Sequence, residues 1–167
     1  SNARKATAKW KNAMQREDPG LYDYLPYYDR PKIVWPGGAR LAFWCAPNIE
    51  HYELDPPANP SRTPWPRPVP DVLHYAWRDY GNRVGIYRLA KAFARHNLRV
   101  SVAVNAAVAV RYPSLVRDCM AWGWEIVANG LDMDHLHYEG LPRADEGKLI
   151  ATTLDVLRKA TGSKIRG

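Results

Sequence analysis

RVSVAVNAAVAVRYPSLVRDCMAWGWEIVANG, residues 99–130, switches from strand to helix to strand character. Arg99–Val104 is a near-continuous apolar run, the pattern of a strand buried on both faces. Pro113 suits the first turn of a helix, where its missing N–H leaves no bond unmade. Leu115, Val116, Cys119 and Met120 then share one helical face, and Gly123 ends it. Trp124–Ala128 is the next strand. Strand, helix and strand without alternation make a βα unit of a parallel sheet.

The same grammar extends in both directions. Upstream, Asn82 fits an N-cap, and Ile86, Leu89, Ala90, Phe93 and Ala94 follow at helical spacing, with Asn97 at the C-terminal position. Before that helix, the turn Pro36-Gly37-Gly38 leads into Leu41–Ala46, an apolar run expected to be the first strand, buried on both faces. Downstream, Ile150, Leu154 and Leu157 mark a third helix closed by Gly162. Three successive βα units define an α/β fold with parallel strands. Between Pro56 and Pro70 lie seven of the 14 prolines, a density that excludes both helix and central strand. Loops of that length inside a domain are often functional.

At 167 residues, 46% hydrophobic and 25% charged, the chain is of globular composition and long enough for one real core. Trp 7 and Tyr 10 against Phe 2 supply rings with polar handles, suited to pocket walls. No apolar run is long enough to span a bilayer, and no signal-peptide core is present. The net charge is +7, but Arg4, Lys5, Lys9, Lys11 and Arg16 carry five of those charges within residues 1–16. The remainder holds only +2, which weighs against nucleic acid as a partner. Ser1-Asn2-Ala3 reads as a scar of tag removal, and residues 1–30 as that scar plus a basic, Tyr-rich arm (Tyr22, Tyr24, Tyr27, Tyr28). Residues 31–167 form the expected domain. Cys45 and Cys119 sit in apolar patterns and read as free buried thiols of a cytoplasmic protein.

Parallel α/β folds place ligands at the carboxyl ends of their strands. AFWCAPNIEHYE, residues 42–53, ends its apolar run in Asn48, Glu50, His51 and Glu53. Glu50 and Glu53 suit a general base and a partner that tunes it; either can instead cap a turn or pair with Arg78 or Arg83. Asn48 can hold an oxyanion or orient an amide, or it can serve turn backbone groups. His51 and His74 read as loop histidines, and His96 as a complement to a helix dipole. At the next strand end stand Asn129, Asp132, Asp134, His135 and His137. Their spacing matches neither HExxH nor a paired CxxC, and a solvated loop accounts for them better than a metal site does.

VWPGGARLAFWCAPNIEHYE, PDVLHYAWRDYGNRVGIYRLAKAF, GWEIVANG and TGSKIRG together resemble the polysaccharide deacetylase (NodB-homology) family, nearest its allantoinase-like and cyclic-imide-hydrolysing branch. The resemblance runs from about Lys32 to Gly167. It implies a distorted (β/α) barrel, hydrolysis of non-peptide C–N amide bonds, and an N-acetyl sugar or small cyclic amide as substrate. Family members often use zinc or another divalent metal held by an Asp and two His, with a second Asp as base. Here the resemblance puts Asn48 near the base position and Glu50 near an acidic one, the candidate catalytic pair; His51, Glu53, Asn129 and Arg166 are the candidate substrate-binding residues. Asn129 and Met133 fall where the two His ligands would stand, so no metal cofactor is expected. The matched motifs account for the N-terminal half of the family domain, hence an incomplete barrel. Three βα units leave an open edge and inner face, from which a homodimer follows as an expectation. The alternative function is a catalytically inactive half-domain that binds a ligand or its own copy.

Overall fold

Val102 and Val104 expose no surface at all, because their strand is the middle one of three. The computed structural model describes residues 21–57 and 68–165. The basic run of residues 1–16, most of the Pro56–Pro70 excursion and Arg166 lie outside them. A first unit ends at Ala42 and a second begins at Phe43. In the first, single 3-10 turns form at Tyr27–Asp29 and Pro36–Gly38, and Tyr22, Tyr24, Tyr27 and Tyr28 are exposed.

In the second unit, β1 (Asn48–Ile49), β2 (Ser101–Val104) and β3 (Glu125–Ala128) form a parallel sheet in the order β1-β2-β3. Ile49, Val104 and Ala128 are in register, as are Val102 and Ile126, and this face carries the buried core. The opposite face, with Ser101, Ala103 and Val127, is only half-buried. There Ser101 Oγ donates to Glu125 Oε2 at 2.8 Å. The expected parallel α/β arrangement, part of a (β/α) barrel, is what the chain forms.

The first strand differs from its expectation. Leu41–Ala46 was to be buried on both faces, yet Leu41, Phe43 and Trp44 are more than 70% exposed. The ladder holds at Cys45, bridged to Val100, and then at Asn48–Ile49. Pro47 is the cause of the gap: its carbonyl accepts from Ala103 N at 3.0 Å, but it has no N–H to return. Among the described residues β1 is also an edge strand, with one side lacking a strand neighbour.

Asn82 is not an N-cap. The helix starts ten residues earlier at α1 (Val72–Tyr80), capped by Asp71, whose side chain accepts from His74 N. It runs through a π-helical turn at Gly81–Gly85 into α2 (Ile86–Arg95). Asn97 closes it with a positive φ of 49°. The short α3 (Ala106–Arg111) has no counterpart in the sequence reading, because AAVAVR continues the apolar run of β2 without a break in period. α4 (Pro113–Ala121) buries Leu115, Val116 and Cys119 as its spacing requires. α5 (Arg143–Thr161) places Asp145 and Glu146 in its first turn and Arg158 and Lys159 in its last, complementing its dipole at both ends. Gly162, at φ 64°, supplies the left-handed residue that stops it. Both cysteines are free; Cys119 is buried and Cys45 half-buried.

Candidate active site

β1 ends in alternating directions. Ile49 turns its carbonyl to Asn105 N on the β2 side (3.1 Å), so the carbonyl of Glu50 points to the open edge. Asn82 Nδ2 donates to it there at 2.9 Å, which is why a buried amide sits mid-helix. The Glu50 side chain receives Arg78 Nε on Oε2 at 2.8 Å. Burial works against the charge on Arg78, but the hydrogen bond and the charge of Glu50 outweigh it and hold the guanidinium above its ordinary value. The pairing with Arg78 weighed from the sequence is therefore the one that forms. Arg78 also lies over the Tyr52 ring, 5.1 Å from its centroid, and Tyr52 stacks on His74 at 5.6 Å.

Asn48 and Glu50 line one cleft of about 260 Å³, together with Arg78, Asn82, Ile86 and Leu89. His51, Glu53 and Asn129 do not line it; they belong to the neighbouring rim. His51 is buried, with Nε2 3.3 Å from Glu53 Oε1 and its backbone N–H donating to Asn105 Oδ1 at 2.9 Å. Asn105 Nδ2 in turn donates to the backbone carbonyl of Asn129. One fully buried amide thus ties the end of β1 to the end of β3 across β2. Two larger cavities, of about 390 and 420 Å³, are lined by Trp124, Thr161 and Lys164 and by Tyr87, Lys91 and Trp122, away from these strand ends.

The loop after β3 is solvated only in part: His135 and His137 are exposed, while Asp132 and Asp134 are buried and accept backbone N–H groups. Asp134 Oδ2 takes Glu53 N at 2.7 Å, and Met133 N donates to His51 O at 3.0 Å, so the two loops are stitched together. Asp132 grips His135 through Nδ1, as Asp71 grips His74 three residues on. His74 is thus a first-turn helix residue and not a loop histidine, whereas His96 caps the C-terminus of α2, where an imidazole complements the dipole.

In the last turn of α1, Asp79 accepts from Arg83 Nε at 2.7 Å and from the Tyr112 hydroxyl. Burial opposes the charge of Asp79, but Tyr112 and Arg83 together keep its carboxyl below the usual range. Asn105, the Asp71–His74 pair and this cluster are absent from the sequence reading, whereas Asp132 and His135 stand in it as candidates without their pairing. Asn105 carried a signal too, a lone amide inside SVAVNAAVAV.

A divalent metal of the family type does not fit. Asn129 and Met133 stand where the resemblance would put the two His ligands, an amide and a thioether being poor replacements for imidazole. Among the described residues no three His, Cys, Asp or Glu side chains converge as ligands.

No protein-family model matches the chain, and no curated protein does. Solved structures do. Puue allantoinase superposes with a TM-score of 0.71 at 24% identity, over 87% of this chain and 51% of its own. A protein described as a probable polysaccharide deacetylase from Pseudomonas aeruginosa PAO1 gives 0.67 at 26% identity, over 87% of this chain and 52% of its own. The chain carries a partial NodB-like deacetylase fold, the class that its motifs resemble. It spans about half the length of the solved structures it matches. Among the described residues no helix is long and apolar enough to cross a membrane.

Proposed function

We propose that the chain contributes the β1–β3 rim of a hydrolase of non-peptide carbon–nitrogen amide bonds. The substrate would be an N-acetyl sugar or a small cyclic amide. The observation that carries this reading is the cleft shared by Asn48 and Glu50, at the strand ends of a fold held in common with an allantoinase and a polysaccharide deacetylase. Glu50, oriented by Arg78, serves as base or polariser of the attacking water, and Asn48 orients the substrate amide. His51, Glu53, Asn129 and Arg166 belong to the substrate-binding set. Hydrolysis of allantoin and of N-acetylated oligosaccharides, followed by amine or carboxylate release, tests it; wild-type protein inert on both classes would defeat it.

The second reading is a non-catalytic protein that binds a ligand or its own copy. The half-buried face of the sheet and the exposed Phe43 and Trp44 favour it. A two-fold pair is the commonest closed solution for such a surface. Sedimentation equilibrium decides: a single species at 19.0 kDa would exclude the pair.

A further inference from the structure

Asp132 follows β3 in a tight turn, and only 4% of its side chain is exposed. Its Oδ1 accepts the backbone N–H of Asp134 at 2.8 Å and of His135 at 2.7 Å. The Nδ1 of His135 lies 2.7 Å from Oδ2 and 2.9 Å from Oδ1. A carboxylate so enclosed is acceptor only, so the nitrogen facing it must carry the hydrogen. In the neutral imidazole this puts the proton on Nδ1 and the lone pair on Nε2. Among the described residues no hydrogen bond engages that Nε2, and the side chain is 43% exposed. The loop that presents it is fastened to the end of β1 by Met133 N on His51 O and by Glu53 N on Asp134 Oδ2.

Glu50 stands differently. Arg78 already occupies its Oε2 and Asn82 its carbonyl. His74 repeats the Asp–His geometry, but its ring is stacked on Tyr52, and it opens a helix where His135 follows a strand.

The geometry points to His135 as the proton acceptor of this rim, with Asp132 as its positioning residue. The inference rests on the amide-hydrolase reading and assigns its proton transfer to His135, leaving Glu50, held by Arg78, as the polariser. Water oxygen bonds to the amide carbonyl carbon while one of its O–H bonds breaks, and that proton moves to Nε2. The C–N bond then breaks, and the proton passes from Nε2 to the leaving nitrogen. Amide and water become acid and amine, and the imidazole is restored.

Diethyl pyrocarbonate, which acylates neutral imidazole, tests the dyad on the whole chain without any substrate. Peptide mapping should show His135 modified several-fold faster than the exposed His96, and Asp132→Asn should slow His135 while leaving His96 unchanged. Nitrogen-15 spectra should place the His135 hydrogen on Nδ1 in the wild type and give a mixture of tautomers in D132N. With hydrolysed substrate in hand, His135→Gln should lower kcat about 100-fold or more with KM little changed, the usual worth of a general base. Equal acylation of His135 and His96, indifference of His135 to D132N, or an unaltered kcat in H135Q would each overturn the proposal. A wild type inert on every amide but with fast, Asp132-dependent acylation of His135 would remove the hydrolase reading and leave the dyad standing.

Discussion

Asn105 Oδ1 accepts the backbone N–H of His51 at 2.9 Å, a bond that spans 54 residues of chain and sits wholly out of solvent. The other end of the same amide donates to the carbonyl of Asn129. Both ends of the group are used, so each strand end depends on its partner across β2.

Asn105→Asp keeps the acceptor and removes the donor, placing a second oxygen against the Asn129 carbonyl. A buried group left without its partner costs about 1–3 kcal/mol, and more if it stays charged. Urea unfolding should show the midpoint falling with an unchanged slope. Hydrogen exchange at His51 N should accelerate as well.

Glu50→Gln retains an oxygen that can accept from Arg78 Nε, so the loss of stability should stay near 1 kcal/mol or below, the range for partly exposed ion pairs. Any amide-hydrolysing activity should fall sharply. A melting temperature lowered by many degrees would instead make Glu50 a structural anchor for α1.

The Tyr87 phenol donates to Asp118 at 2.6 Å; that hydrogen bond, with burial and the nearby charge, pushes it up to about 12. A raised folded-state value means that the neutral phenol is favoured in the fold. Its contribution is complete below about pH 10, the unfolded value, and is lost as pH rises from there through about 12. Ultraviolet titration should show Tyr87 ionising late; burial and the bond to Asp79 raise Tyr112 as well. In Tyr87→Phe the late absorbance change should shrink by one tyrosine, and alkaline stability should depend less on that window.

Elemental analysis after exhaustive dialysis should find well under one equivalent of zinc or another divalent ion. The expectation follows from Asn129 and Met133 at the would-be ligand positions. A stoichiometric metal held through His135 or His137 would contradict it.

Most of the architecture is legible along the chain. The apolar runs at Arg99–Val104 and Trp124–Ala128 become β2 and β3, and Pro113, Gly123 and Gly162 mark boundaries that the backbone respects. These signals are local: a missing N–H, a left-handed φ, a period of contiguous apolar residues. The strand Leu41–Ala46 is misplaced because hydrophobicity records burial only when a neighbour is there to bury against, and Pro47 interrupts the one ladder available.

The site divides along the same line. By itself the sequence determined that Asn129 falls at a strand end and that Asn48, Glu50, His51 and Glu53 gather where an apolar run stops, because such breaks follow from pattern and turn chemistry. Only the tertiary structure decided which of them meet. Glu50 turns to Arg78, 28 residues away, His51 to Asn105, and Glu53 to Asp134, 81 residues away. Hydrogen-bond partners at such separations depend on strand order and register. Those are set by how the sheet buries Ile49, Val102 and Val104 together, a property of the packed core that no single stretch of residues contains.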